Sequence, residues 1–158
     1  MLKTVQSIFP IPTSQGGTGT TNPPAFSAIL TSNQSLASGV WTKLAMATEL
    51  FDTNNNYDPT TNYRFTPTVA GYYQFNIAVQ VGTTTFPAGA AIYKNGASAG
   101  YSLGSFQAAA LFAQASFSTI LLMNGTTDYI EAFAIQVSGG AVSAVNGVTG
   151  FNGCFLRG

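Results

Sequence analysis

Five apolar residues at two-residue spacing, Tyr73, Phe75, Ile77, Val79 and Val81, alternate with Gln74, Asn76, Ala78 and Gln80. Side chains on an extended strand point to opposite faces in turn, so this spacing predicts a strand with one face in a core. No stretch of the chain sustains an apolar period of about 3.6 residues. The run Ala108–Ala115 has helical propensity, but it continues into FSTILLM and reads better as buried strand. The chain is therefore expected to be all β.

Turn signals divide the rest into short strands. Ala25–Leu30 is one candidate, followed by the turn SNQSLASG, and Val40–Met46, with Trp41 among small and polar neighbours, is a second. Phe51–Phe75 holds an Asn-rich loop, a short strand signal at Tyr63 and Phe65, a turn at Pro67, and Gly71. Gly82–Gly89 reads as a loop. Asn95-Gly96 lies between apolar segments, and Asn-Gly best tolerates the two positive φ values of a tight primed turn, so a hairpin is expected there. A second Asn-Gly, Asn124-Gly125, separates strands Leu111–Met123 and Asp128–Val137. The closing strand is GFNGCFLRG, with Phe151, Cys154 and Phe155 as its apolar residues. Eight or more strands at this spacing predict an antiparallel sandwich or jelly roll.

Charge is the unusual quantity. Only 6% of the 158 residues are charged, five basic and five acidic, against about 25% in an average domain. Without clustered Lys and Arg there is no footprint for nucleic acid or an anionic membrane. One reading is that much of the surface is buried against copies or neighbours in an assembly. The other is a surface made soluble by its many Ser, Thr, Asn, Gln and Gly residues. The 46% hydrophobic content supports a packed core.

A single Cys154 precludes an intrachain disulfide framework. No signal peptide is evident at Leu2–Pro12, and no apolar run approaches the roughly 18 residues of a membrane span.

Residues 1–24 differ in character. IFPIP (Ile8–Pro12) suits neither a helix nor a central strand, and SQGGTGTTNPP (Ser14–Pro24) is a connector by composition. Extended, such an arm reaches about 75 Å at roughly 3.3 Å per residue. The expected organisation is an extended attachment arm, 1–24, and a knob domain, 25–158.

Catalytic chemistry finds little support. There is no His, which removes Ser-His-Asp, Cys-His and His-metal arrangements. Cys154, in an apolar strand, reads as a packed core thiol. The carboxylates are Glu49, Asp52, Asp58, Asp128 and Glu131, and nothing singles out Asp128 with Glu131 as a glycosidase pair. Asp52, Asn54, Asn56 and Asp58 alternate as in the first half of a calcium loop. Tyr57 stands where the tight turn wants Gly, and Tyr63 where the bidentate Glu belongs. The competing reading has these side chains capping their own backbone. Tyr57, Tyr63, Tyr72, Tyr101 and Phe106 are candidates for a carbohydrate-stacking face, or for core and interface packing. The expectation is no catalytic residue, no cofactor and no metal site.

The run FDTNNNYDPTTNYRFTPTVAGYYQF resembles the signature of the globular head domains of complement first component subunit q, which share a jelly roll with tumour necrosis factor. Phe51, Tyr57, Phe65, Pro67, Gly71, Tyr73 and Phe75 fill its positions. AIYKNG (Ala91–Gly96) resembles the next hairpin and FNGCFL (Phe151–Leu156) the closing strand. The resemblance implies a ten-stranded jelly roll that trimerises through apolar, aromatic faces. Phe26, Trp41, Phe65, Phe75 and Phe155 are expected to supply core or axis burial.

PTSQGGTGTT (Pro12–Thr21) is similar to a Q-G-G-T-G-x-T element of bacteriophage tail fibres and other virion appendages. No collagen-like Gly-X-Y stalk is present. Together these imply a virion structural protein made in the bacterial cytoplasm: a capsid decoration or cement protein, a head fibre, or a tail-fibre tip for host attachment. The expected partners are two further copies, other virion proteins through residues 1–24, and a host glycan or protein. The alternative is a secreted carbohydrate- or protein-binding module.

Overall fold

The computed structural model describes residues 20–82, 86–104 and 112–158. Residues 1–19, Phe106 and the first part of the Ala108–Ala115 run lie outside them. The described chain is entirely strand and loop, in two antiparallel sheets packed face to face.

The larger sheet has seven strands. Its centre is β7 (Gly71–Val81), with β10 (Ala113–Met123) on one side and β13 (Gly150–Arg157) on the other. β1 (Ala25–Ile29) pairs with β13, and β4 (Thr48–Asp52) pairs with β1. Where β13 stops, β12 (Val142–Ala144) takes over beside Val81, and β2 (Gln34–Leu36) pairs with β12. The smaller sheet runs β5 (Tyr57–Asp58), β6 (Arg64–Phe65), β11 (Ile130–Gln136), β8 (Ala88–Lys94) and β9 (Ala97–Gly104). Two residues of β3 (Thr42–Lys43) also pair with β11.

The alternation expected over Tyr73–Val81 is met: Tyr73, Phe75, Ile77, Val79 and Val81 are all buried. They meet an aromatic cluster centred on Phe26. Its ring stacks on Phe65 at 4.3 Å and Tyr57 at 5.1 Å, and meets Phe151 edge-on at 4.9 Å. Tyr57 donates to the Met46 carbonyl and Tyr73 to the Val69 carbonyl, so each buried phenol has its partner. Burial raises both phenol pKa values above the ordinary 10.

Asn95 (φ 54°) and Gly96 (φ 78°) form the primed turn expected of them, joining β8 to β9. Asn124-Gly125 does not. Only Gly125 has positive φ, and Asn124 Oδ1 accepts the backbone N–H groups of Thr126, Thr127 and Asp128, making a side-chain-capped loop. Several short strands, β2, β4, β5 and β12, escape the alternation rule because two to five residues are too few to show a period. Val40–Met46 contracts to Thr42–Lys43, and the loop over Gly82–Gly89 gives up Ala88 and Gly89 to β8.

Two burial expectations are corrected. Phe151, Gly153 and Phe155 face the core, so Cys154 points the other way and is exposed. The strand period of two forbids Phe155 and its neighbour Cys154 from sharing a face. Trp41 is likewise only half-buried, on the outside of the smaller sheet, whereas Phe26, Phe65 and Phe75 are fully buried.

Candidate assembly surface

Strands β1, β7, β10 and β13 contain a single charged residue, Arg157, at the very end of β13. Their outward side chains make the outer face of the larger sheet. Register fixes which residues stand side by side. Leu122 lies opposite Tyr72, Ile120 opposite Gln74, Ser118 opposite Asn76, and Ser116 opposite Ala78. On the other flank Asn76 faces Asn152, and Ala78 faces Gly150.

The face therefore has three bands. At one end Tyr72, Ile120, Leu122 and Leu156 are exposed, Ile120 to 58% and Leu122 to 55%. Arg157 closes this band with its guanidinium 5.4 Å from the Tyr72 ring centre. Across the middle runs a row of uncharged polar groups. Asn152 Oδ1 accepts from Asn76 Nδ2 at 2.9 Å, and Asn76 Oδ1 accepts from Ser118 Oγ at 2.7 Å. Beyond it, Ala78, Ser116, Val148 and Gly150 surround a depression of about 370 Å³. Gln114 and Gln80 bond to one another at 2.8 Å at the far edge.

Ionised groups sit elsewhere. Lys43 pairs with Glu131 at 3.0 Å on the smaller sheet, and Lys94 pairs with Asp128 at 2.8 Å at a turn. Hydrogen bonds from Lys94 and then Asn95 lower the Asp128 pKa. Asp128 and Glu131 are thus drawn to different lysines. Among the described residues no group of three His, Cys, Asp or Glu side chains is placed to hold a metal ion.

The Asp52–Asp58 loop is built as a capped turn. Asp52 accepts the N–H groups of Asn54 and Tyr57. Asp58 Oδ1 accepts from Thr60 N, Thr60 Oγ1 and Thr61 N, and Oδ2 from Asn62 N and Asn62 Nδ2. The backbone donors, Thr61 first and then Thr60, hold the Asp58 carboxyl far below the usual carboxylate range. A depressed pKa means stability that is fully present above about pH 4 and lost as pH falls towards the folded-state value. Asp58→Asn keeps one acceptor and turns an NH2 group towards a donor. Because water screens these exposed bonds and can replace them, a loss of about 1 kcal/mol or less at pH 7 is expected, with a flatter acid limb in melting curves below about pH 4.

The tyrosines proposed for sugar stacking do not converge. Tyr57 is core, Tyr72 stands on the larger sheet, and Tyr101 on the smaller one beside Trp41, at 5.6 Å between ring centres. The sequence shows that each of these four strands lacks charge but for Arg157, yet not that they stand side by side as one face.

Asn22 and Pro24, just before β1, are bonded to the knob. Phe155 N donates to the Pro24 carbonyl, Asn22 Nδ2 to the Thr53 carbonyl, and Asn54 Nδ2 to the Asn22 carbonyl.

No protein-family model and no curated protein matches the chain. Solved structures do. Murine APRIL superposes with a TM-score of 0.64 at 11% identity, over 85% of this chain and 99% of that one. Eiger TNF from S. frugiperda gives 0.57 at 8% identity, over 86% and 92%. Vertex protein P5 of the phage PRD1 gives 0.59 at 10% identity, over 86% and 99%. At these identities the likeness is one of fold: the chain is an antiparallel jelly roll of the tumour-necrosis-factor type.

Proposed function

We infer that this chain is a non-enzymatic structural protein of a bacteriophage particle, a homotrimeric knob held by its N-terminal arm. The observation that carries the trimer is the outer face of β1, β7, β10 and β13, whose one charged residue is Arg157 at its edge. Exposed Ile120, Leu122 and Tyr72 gain by leaving water, at about 25 cal/mol per Å² of apolar area. The Ser118–Asn76–Asn152 row brings hydrogen-bonding groups but no charge to desolvate.

The particle is supported by the QGGTGTT element in residues 15–21 and by the fold shared with a phage vertex protein. The arm's attachment to other virion proteins, as a capsid decoration, head fibre or tail-fibre tip, makes the mechanism mechanical. The knob is displayed and the arm anchors it.

Three experiments test this. The full chain should run at three times its 16.4 kDa mass in light scattering, and a stable monomer at micromolar concentration would sink the trimer. Peptides of the protein should appear in mass spectra of purified particles. Removal of residues 1–19 should keep the trimer and abolish incorporation. Secretion without particle association would favour a free binding module instead.

A further inference from the structure

Loops at the end of the sandwich away from Pro24 enclose a depression of about 410 Å³, whose walls include Thr31, Asn33, Ser35, Ala45, Ala47 and Tyr63. Pairing sets its height. Leu30 N donates to the Thr149 carbonyl, and Thr149 Oγ1 accepts from Gln80 N, so the loop after β1 lies beside the Val81 end of β7. Pro24 is bonded to Phe155, which pairs with Tyr73. From Tyr73 to Gln80 the strand rises about 23 Å, at roughly 3.3 Å per residue. All the lining residues lie outside β1, β7, β10 and β13, so the face assigned to the trimer does not include them.

The walls are tied by their own polar groups. Gln34 Oε1 accepts from Ala45 N, and Gln34 Nε2 donates to the Lys43 carbonyl, both at 2.8 Å. Asn146 N donates to Asn33 Oδ1, and Asn146 Nδ2 to the Thr31 carbonyl. Thr31 and Thr48 share a hydroxyl bond of 2.7 Å. Asn62, just before Tyr63, is held on both sides: its N–H donates to Asp58, and its carbonyl accepts from Lys43 Nζ. The depression is therefore formed before any ligand arrives.

Tyr63 is the unusual residue in it. Its φ of 49° is left-handed, where Asn or Gly sits easily and a bulky side chain is strained. Such strain is characteristic of ligand clamps. The Tyr63 ring is half-buried, and neither its hydroxyl nor Ser35 Oγ nor Asn33 Nδ2 has a hydrogen-bond partner. No lining residue is charged. Lys43, two residues before Ala45, is already engaged by Glu131 at 3.0 Å and by the Asn62 carbonyl. A phosphate, sulfate or carboxylate would find no free cation here. What remains is one aromatic face, two alanine methyl groups, and hydroxyls that both donate and accept. A neutral sugar ring has the complementary parts: a flat C–H face, and hydroxyls that donate and accept in turn.

We propose that this depression binds a neutral saccharide unit, its ring against Tyr63 and its hydroxyls bonded to Ser35 Oγ, Tyr63 Oη and Asn33 Nδ2. The site is complete within one copy. It adds a ligand class to the structural role, and its failure would leave the trimer and the particle untouched.

The full chain is tested on immobilised neutral oligosaccharides of glucose, galactose and N-acetylglucosamine, with sialylated and sulfated glycans alongside. Saturable binding to at least one neutral series is expected. Tyr63→Asn suits the left-handed backbone but removes the ring, and should lower affinity about tenfold or more, as for an aromatic anchor. Ala47→Trp, at an exposed position, fills the depression and should do the same. Melting curves are recorded for both variants; if Tyr63→Asn fails to fold, Ala47→Trp decides. The proposal is overturned by no binding to any neutral series, by binding that a folded variant of either kind leaves intact, or by binding that requires the charged groups.

Discussion

Replacing Ala78 with arginine is expected to leave each knob folded and to reduce the trimer to monomers. Ala78 projects outward from the centre of β7, between Ser116 and Gly150, so the longer side chain meets no core atom. In the proposed trimer the same position is covered. Each copy would then bury a guanidinium on a face with no carboxylate in its central strands. An unpaired buried charge costs roughly 3–5 kcal/mol, enough to dissociate most assemblies at micromolar concentration. Light scattering should report 16.4 kDa, with an unchanged far-ultraviolet spectrum. Ser32→Arg, in an exposed turn, serves as control and should remain trimeric. A trimer that tolerates arginine at Ala78 would place the interface elsewhere.

The second large effect lies in the core. Phe26→Ala removes the ring that touches Phe65, Tyr57 and Phe151 together. Those neighbours belong to both sheets, so no single strand can shift to refill the space. A loss of about 3–5 kcal/mol is expected, at the upper end for a buried aromatic. Urea unfolding should show a much lower midpoint. Phe51→Ala provides the contrast: Phe51 is half-exposed on edge strand β4, and its loss should cost well under 1 kcal/mol.

The difference between these two phenylalanines also shows what the sequence can reveal. Long strands announce themselves, and β7, β10 and β13 were legible because eight or more residues make a period visible. The Asn95-Gly96 turn was legible because its backbone demands those residues. Cys154 was misplaced because an apolar side chain in a core strand says nothing about which face it takes until register is known. Register was also what hid the assembly surface. The residues that compose it come from four strands far apart in the chain, and only pairing sets Ser118, Asn76 and Asn152 in one row. Trp41 was expected to supply core or axis burial, yet it stands half-buried on the outside of the smaller sheet.

Pro24 is bonded to Phe155, and Gly158 lies within reach of Ala70, so both termini of the knob emerge from one end. The turn Ser138–Gly140 follows β11 at the other end, and a side chain added at Gly139 or Gly140 would meet nothing within 4 Å. This polarity makes the molecule a one-ended platform. In the proposed trimer, cargo joined after Gly158 would crowd the proposed anchoring arm, whereas a peptide grafted into the Gly139-Gly140 turn would be carried outward in three copies, at the end away from Pro24.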